Sequence, residues 1–275
     1  MEALAEYEGV DAGRFRDEIA ARGEPAVLRG LVRAWPAVQA ARQSPEAVCR
    51  YIMGFGQGAP VDALLMPPEV QGRIFYSADM RGFNYARKKV PLSTVIEQVA
   101  RYSHFPSAPA VAAQSALVHE CLPGFERENV LPLLGPEVEP RIWLGNRVTT
   151  PAHFDQSSNI ACVVAGRRRF TLFAPDQVEN LYIGPLDFAP TPTPISLVDF
   201  KAPDFERFPR FREALANARV AELDPGDAIY IPPLWWHHVE SLAGLNVLVN
   251  YWWGAAAEAP KAAFAKLMAT LRERA

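Results

Sequence analysis

The sequence predicts a mainly β fold with helical flanks, and three observations carry that expectation. Extended runs bounded by Pro and Gly dominate from about Ser115 to Trp253, in the manner of an antiparallel barrel. Helical and extended patterns mix over the first hundred residues, and a single amphipathic stripe closes the chain. With 275 residues and 49% hydrophobic content, the chain is long enough to bury a large core.

Asp11 is placed as the N-cap of a helix through Phe15 and Ile19, because its carboxylate can accept an amide of the first turn. A short strand follows at Ala26 to Leu28, and Ser44 caps a helix through Val48 and Ile52. Alternating apolar runs from Ala63 to Tyr76 predict strands, while Pro91 to Tyr102 reads as a helix with Val95, Ile96 and Val99 on one side. The Pro-rich stretch from Pro185 to Pro209 interrupts the strand region, and a loop of that length is either functional or an inert surface excursion. Asp224-Pro-Gly-Asp227 is a turn that aims the next strand. From Ala257, Phe264, Leu267, Met268 and Leu271 recur at helical spacing. One domain over 1–275 is expected, with a mixed α/β flank at 1–110, a β core at 111–255 and a C-terminal helix at 256–275.

A net charge of −3, from 28 basic and 31 acidic residues, gives no global attraction to nucleic acid or anionic membrane. Cys49, Cys121 and Cys162 are odd in number and far apart, which argues for free thiols in a reducing compartment. The acidic start lacks a signal-peptide pattern and no run reaches about 18 apolar residues, so a cytoplasmic protein without membrane association is expected.

Three metal-ligand candidates stand out. His153 and Asp155 lie two apart in Thr-Pro-Ala-His-Phe-Asp, and a histidine recurs in Leu-Trp-Trp-His-His-Val. On a strand, residues i and i+2 share a face, so imidazole and carboxylate converge while Phe154 packs away. Two histidines and a carboxylate on three corners leave positions open for a co-substrate and O2 on Fe(II). A His-x-Asp doublet alone is a weak signal; a Gly-Arg-Arg-Arg turn from Gly166 and the Asp224 turn before the second histidine strengthen it. An open zinc site of a hydrolase uses the same donors, although no general base is recognisable beside them, and a non-catalytic metal-binding module is a third reading.

Parity assigns the neighbours. Ser157 and Asn159 follow His153 and Asp155 on one face. Arg168 goes inward with Phe170 and Leu172, whereas Arg167 and Arg169 go with Thr171 and Phe173. An inward arginine needs an anion, either the carboxylate of an oxoacid or an internal Asp or Glu. Asn246, Leu248, Asn250 and Trp252 share another face. His237 accompanies apolar Val239 and His238 accompanies Glu240, which makes His237 the ligand; Trp235 and Trp236 pack around the metal loop.

The stretches TPAHFDQSSNIACVVAGRRRFTLFAPDQ from Thr150, PDFERFPRF from Pro203, DPGDAIYIPPLWWHHVESL from Asp224 and VNYWW from Val249 resemble the JmjC and cupin-like 2-oxoglutarate oxygenases. The nearest likeness is to the asparaginyl hydroxylase that inhibits the hypoxia-inducible factor, and it extends weakly upstream through EPAVLRGLVRAWPAV and FYSADMRGFNY. The resemblance implies a double-stranded β-helix core of cupin/jelly-roll, JmjC type. It implies Fe(II) on His153, Asp155 and His237, with 2-oxoglutarate as co-substrate. Thr150, Asn159 and Asn250 would be polar contacts to that co-substrate, and Trp252 part of the pocket wall. Arg168 stands where the nearest relatives carry the lysine that binds the distal carboxylate. A tyrosine that also touches this carboxylate is matched by Leu117, with His119 nearby to compensate. The implied activity is that of a dioxygenase, a hydroxylase of a protein or peptide side chain, or else of a small molecule. A homodimer through the C-terminal helix and a helix that covers its own core both fit the resemblance.

Overall fold

The computed structural model describes residues 2–105, 107–254, 265, 267–269 and 271–273. Fourteen strands form among them: β1 (Glu2–Ala3), β2 (Ala5–Glu8), β3 (Ala26–Arg29), β4 (Pro60–Met66), β5 (Ala86–Pro91), β6 (Ala110–Leu117), β7 (Pro140–Gly145), β8 (Thr149–His153), β9 (Ser158–Ala165), β10 (Arg168–Phe173), β11 (Arg219–Leu223), β12 (Ala228–Ile231), β13 (Trp236–Ser241) and β14 (Asn246–Trp253). A five-stranded sheet runs β1-β11-β10-β13-β8, and a nine-stranded sheet runs β2-β3-β12-β9-β14-β7-β6-β4-β5.

The expected closed double-stranded β-helix is therefore corrected. The strands lie in two open sheets flanked by helices, a mixed α/β fold, because the edge strands β1, β8, β2 and β5 do not join the sheets into a barrel. The physical reason lies in the residues assigned to a flank. β2, β3, β4 and β5 add themselves to the edges of the larger sheet, two of them in a parallel pair, and so extend it instead of closing it. Turn and strand signals are local, whereas edge pairing is not.

The sheets pack face to face through a shared apolar cluster in which Phe170 and Leu172 of β10 meet Ala161 and Val163 of β9 and Leu248 of β14. A larger cluster lies on the other face of the nine-stranded sheet. There the helices Pro36–Gln43, Pro45–Met53 and Leu92–Tyr102 bury Val38, Val48, Ile52, Val95, Ile96 and Val99. Both expected caps form: Asp11 accepts from the Arg14 amide at 2.8 Å and Ser44 from the Ala47 amide at 3.1 Å. The strand expected to reach Tyr76 stops at Met66, and a short 3-10 turn at Pro68–Val70 ends with Gln71 at a φ of 49°. Arg29 of β3 pairs with Asp227 at 2.7 Å and ties the turn before β12 to the N-terminal strands.

The Pro-rich excursion is fastened to the edge of the smaller sheet. The Ser196 amide donates to the Ala152 carbonyl at 2.8 Å, and Thr193 Oγ1 to the Phe154 carbonyl at 2.6 Å. Phe264 of the expected C-terminal helix lies outside the described residues, but Leu267 and Leu271 are buried against Phe173, Phe211 and Trp236. Those described residues of the helix cover the molecule's own core. No helix among the described residues is long and apolar enough to cross a membrane.

Candidate active site

The metal candidates converge where β8 and β13 pair, with His237 directly opposite His153. Their rings stand 4.2 Å apart, and one ligand atom from each of His153, Asp155 and His237 falls within 4.8 Å of the others. The backbone fixes the tautomer of both rings. His153 Nδ1 lies 2.9 Å from the Pro151 carbonyl and His237 Nδ1 3.0 Å from the Trp235 carbonyl. A carbonyl only accepts, so each Nδ1 carries the proton and each Nε2 keeps its lone pair for an ion. Burial and the neighbouring His237 push the His153 pKa down, which holds the ring neutral, the form that ligates.

The strand expected to run unbroken from His153 to Asn159 is interrupted. β8 ends at His153 and β9 begins at Ser158, so Asp155 is placed by a turn. Two bonds hold that turn: the Leu234 amide donates to the Asp155 carbonyl at 2.8 Å, and Trp252 Nε1 donates to Asp155 Oδ2 at 3.0 Å. Ser157 consequently does not line the cavity, whereas Asn159, back in register on β9, does. Phe154 packs away from the ion site against Trp236, ring centroids 4.8 Å apart.

A cavity of about 500 Å³ opens between the sheets over the triad. Thr150, Asn159, Arg168, Asn250 and Trp252, the expected co-substrate residues, all line it together with the three metal candidates. Asn250 sits in a buried chain, accepting from Trp143 Nε1 at 2.8 Å and donating to Asn159 Oδ1 at 3.2 Å. Asn246, at the start of β14, does not line the cavity and donates to the Asn146 and Ala243 carbonyls.

Arg168 is the electrostatic centre of the cavity. Its neighbours Arg167 and Arg169 point outward, where both pair with Glu222. Arg168 has no carboxylate partner among the described residues, its Nε is buried without a hydrogen bond, and burial pushes its pKa down to about 10. A buried guanidinium in this state has the planar fork that a carboxylate satisfies.

The adjacent histidines separate as parity requires. His238 is buried on the other face, stacked on Phe200 at 4.2 Å, and burial beside Arg73 and Lys201 pushes its pKa down to about 3. Leu117 does not line the cavity, and His119 is exposed with its Nδ1 3.3 Å from the Glu139 carboxylate. Neither takes the place of the tyrosine implied by the resemblance. Sequence reasoning missed Trp143 and Arg141 of β7, Gln114 and Ser115 of β6, and the Pro190–Pro192 wall. For the tryptophan and the arginine, alternation along β7 was a usable signal.

Residues 12–259 match the cupin-like domain family. The chain is 34% identical over 116 residues to HSPB1-associated protein 1 of Homo sapiens, covering 42% of this chain and 23% of the relative. It is 30% identical over 161 residues to Jumonji C domain-containing protein 5 of Drosophila melanogaster, covering 58% and 37%. It is 26% identical over 245 residues to lysine-specific demethylase 8 of Xenopus tropicalis, covering 87% and 50%. The chain thus spans half or less of the length of these relatives. The donor set His153, Asp155 and His237 is the 2-His-1-carboxylate facial triad of Fe(II)- and 2-oxoglutarate-dependent dioxygenases, and it implies both cofactors. With that triad at the head of a cavity and a family match that covers nearly the whole sequence, the chain belongs to the JmjC and cupin-like 2-oxoglutarate oxygenases.

Proposed function

We propose that this chain acts as one catalytic domain, a dioxygenase that uses Fe(II) and 2-oxoglutarate to hydroxylate a protein or peptide side chain. The observation that carries the reading is a single cavity lined both by three convergent metal donors and by a buried arginine without an anion. The residues fit the two groups. Both imidazoles are locked with Nε2 free, the carboxylate is oriented by an indole, and the unpaired guanidinium suits the distal carboxylate of an oxoacid. When bound, the iron and the oxoacid supply the oxidising power, through decarboxylation to succinate and reduction of O2.

The work left to the protein is positional. Arg168 takes the distal carboxylate, Thr150, Asn159 and Asn250 offer polar contacts along the oxoacid, and Trp252 both walls the pocket and holds Asp155 in place. The apolar lining from Phe170, Val239 and Leu248 keeps bulk water from the reacting end. The narrower likeness to an asparaginyl hydroxylase rests on sequence motifs alone, and a relative named as a lysine-specific demethylase makes demethylation a variant of the same chemistry. A hydrolase finds little support. The other acidic residue lining the cavity, Asp62, stands beside Arg87 at 3.8 Å and not beside the triad as a base.

The test is anaerobic titration with Fe(II) and 2-oxoglutarate, then admission of O2 with succinate measured, then mass spectrometry of proteins exposed to turnover. A mass increase of one oxygen atom on a peptide, dependent on both cofactors, supports the reading. Metal binding without 2-oxoglutarate-dependent succinate release overturns it.

A further inference from the structure

The cavity contains a second arginine that the binding of one oxoacid leaves unused. Arg141 projects from β7, so it enters from the nine-stranded sheet, across from Arg168 of the five-stranded one. Its Nη1 donates to the Ser115 carbonyl at 3.0 Å and its guanidinium carbon lies 5.8 Å from the Trp252 ring centroid. No carboxylate pairs with it among the described residues. The bulge in β6 that presents the Ser115 carbonyl spans Ala113 to Ala116 and holds Ser115 at a φ of 47°, a left-handed conformation that a non-glycine residue keeps only when its surroundings impose it.

From Arg141 the cavity wall continues outward along the β4–β5 ribbon through Asp62, Leu64, Tyr85 and Arg87, and ends at β5, the free edge of the larger sheet. The register pairs Leu64 with Arg87, Asp62 with Lys89 and Ala63 with Lys88. Alternation therefore puts Arg87 and Lys89 on the cavity-facing side and Lys88 on the opposite one. All three are exposed. At this end of the cavity the described residues thus present Arg87, Lys89 and Arg141 against Asp62, in a chain whose net charge is −3. An excess of basic side chains at this end would draw anionic partners to it, although the chain as a whole carries net negative charge.

We propose that the substrate segment is an acidic peptide, laid in extended form along the free edge of β5 against Arg87 and Lys89, with its leading end turned from that edge into the cavity so that a carboxylate there reaches Arg141. An edge strand offers main-chain groups to such a segment, and its alternate side chains then face the cavity. A lysine-rich tail would meet like charge at each of these points. Lysines on an exposed edge also discourage sheet-to-sheet pairing, but that role is indifferent to the face on which they lie. This inference rests on the oxygenase reading only in making the peptide the substrate; the recognition itself is independent of turnover.

The test measures binding of three fluorescent Gly/Ser dodecamers, one carrying glutamates, one lysines and one uncharged, to the full chain in the presence of Fe(II) and 2-oxoglutarate without O2. The acidic peptide is expected to bind roughly tenfold or more tighter than the uncharged one, with the advantage fading as salt rises. Arg87→Glu and Lys89→Glu should each weaken it by about threefold or more, Arg141→Met likewise, and Lys88→Glu should leave it near the wild-type value. Preference for the basic or uncharged peptide overturns the proposal, as does an equal loss from Lys88→Glu and Lys89→Glu. Because Arg87, Lys88 and Lys89 are exposed, misfolding does not confound the comparison among their three variants. An acidic preference in a wild-type protein that releases no succinate refutes the oxygenase reading alone, and succinate release without that preference refutes this inference alone.

Discussion

Asp155 accepts from the Trp252 indole and stands 3.6 Å from His237 Nε2, so one carboxylate is shared between its orienting partner and the ion site. Asp155→Ala is therefore expected to abolish succinate release and to lower Fe(II) stoichiometry sharply, since it removes the only carboxylate of the triad; metal analysis after dialysis checks this. Trp252→Phe keeps an aromatic wall, though a smaller one, and loses the N–H, and loss of a bond of this kind should weaken metal affinity by about 10- to 100-fold. Among the histidines, His237→Ala should lose iron and activity while His238→Ala largely retains both, because the second ring faces Phe200 and not the cavity. Arg168→Ala should raise the half-saturating 2-oxoglutarate concentration with metal still bound, by a factor matching about 1.5–3 kcal/mol for a charge-assisted bond. Arg167→Ala, whose partner is Glu222 on the outer face, should change it little. Equal effects from the two arginine variants would count against the assignment of Arg168. These contrasts were legible in the sequence because alternation is local: inward Arg168 and His237 against outward Arg167 and His238 needed only a two-residue period.

At the scale of elements, the period held wherever a strand was regular and failed wherever it was not. The connection from His153 to Ser158 removed Ser157 from the cavity while leaving Asn159 in it. A bulge in β9 leaves Val164 unpaired against β14, so that Val164 and Ala165 both join the larger core cluster while β14 keeps its own alternation. Nothing in the residue types at those points marks an extra residue in the ladder; the bulge arises from the pairing of two strands, and each strand alone looks regular. Helix starts are the opposite case, since a cap is chemistry within four residues. Ser44→Ala removes the acceptor for the Ala47 amide and is expected to destabilise the protein by about 1 kcal/mol, read as a shifted denaturant midpoint with metal affinity unchanged. The Pro-rich stretch is not a detached surface excursion: Thr193 is bonded to the Phe154 carbonyl just beyond β8, Ser196 to the Ala152 carbonyl of β8, and Pro190–Pro192 wall the cavity.

For the molecule as a whole, the two sheets meet across the cavity, so a ligand that bridges them should stabilise the entire fold. Fe(II) with 2-oxoglutarate, kept anaerobic and at about 100 times its dissociation constant, is expected to add about 2.7 kcal/mol, seen as a raised Tm; Asp155→Ala should show no such increment. The sequence by itself determined the ligands, their order, the inward arginine, the helix caps and the family, because each depends on residue chemistry at short spacing or on motifs carried whole. Tertiary structure alone decided that the strands form two open sheets and not a closed β-helix, since closure depends on which edges pair. It alone brought Trp252 to Asp155 across 97 positions and Trp143 to Asn250 across 107. It alone set Arg141 opposite Arg168, where two guanidiniums from different sheets face one cavity and neither pairs with a carboxylate among the described residues. Local physics writes the donors into the chain, and only long-range packing decides what they stand beside.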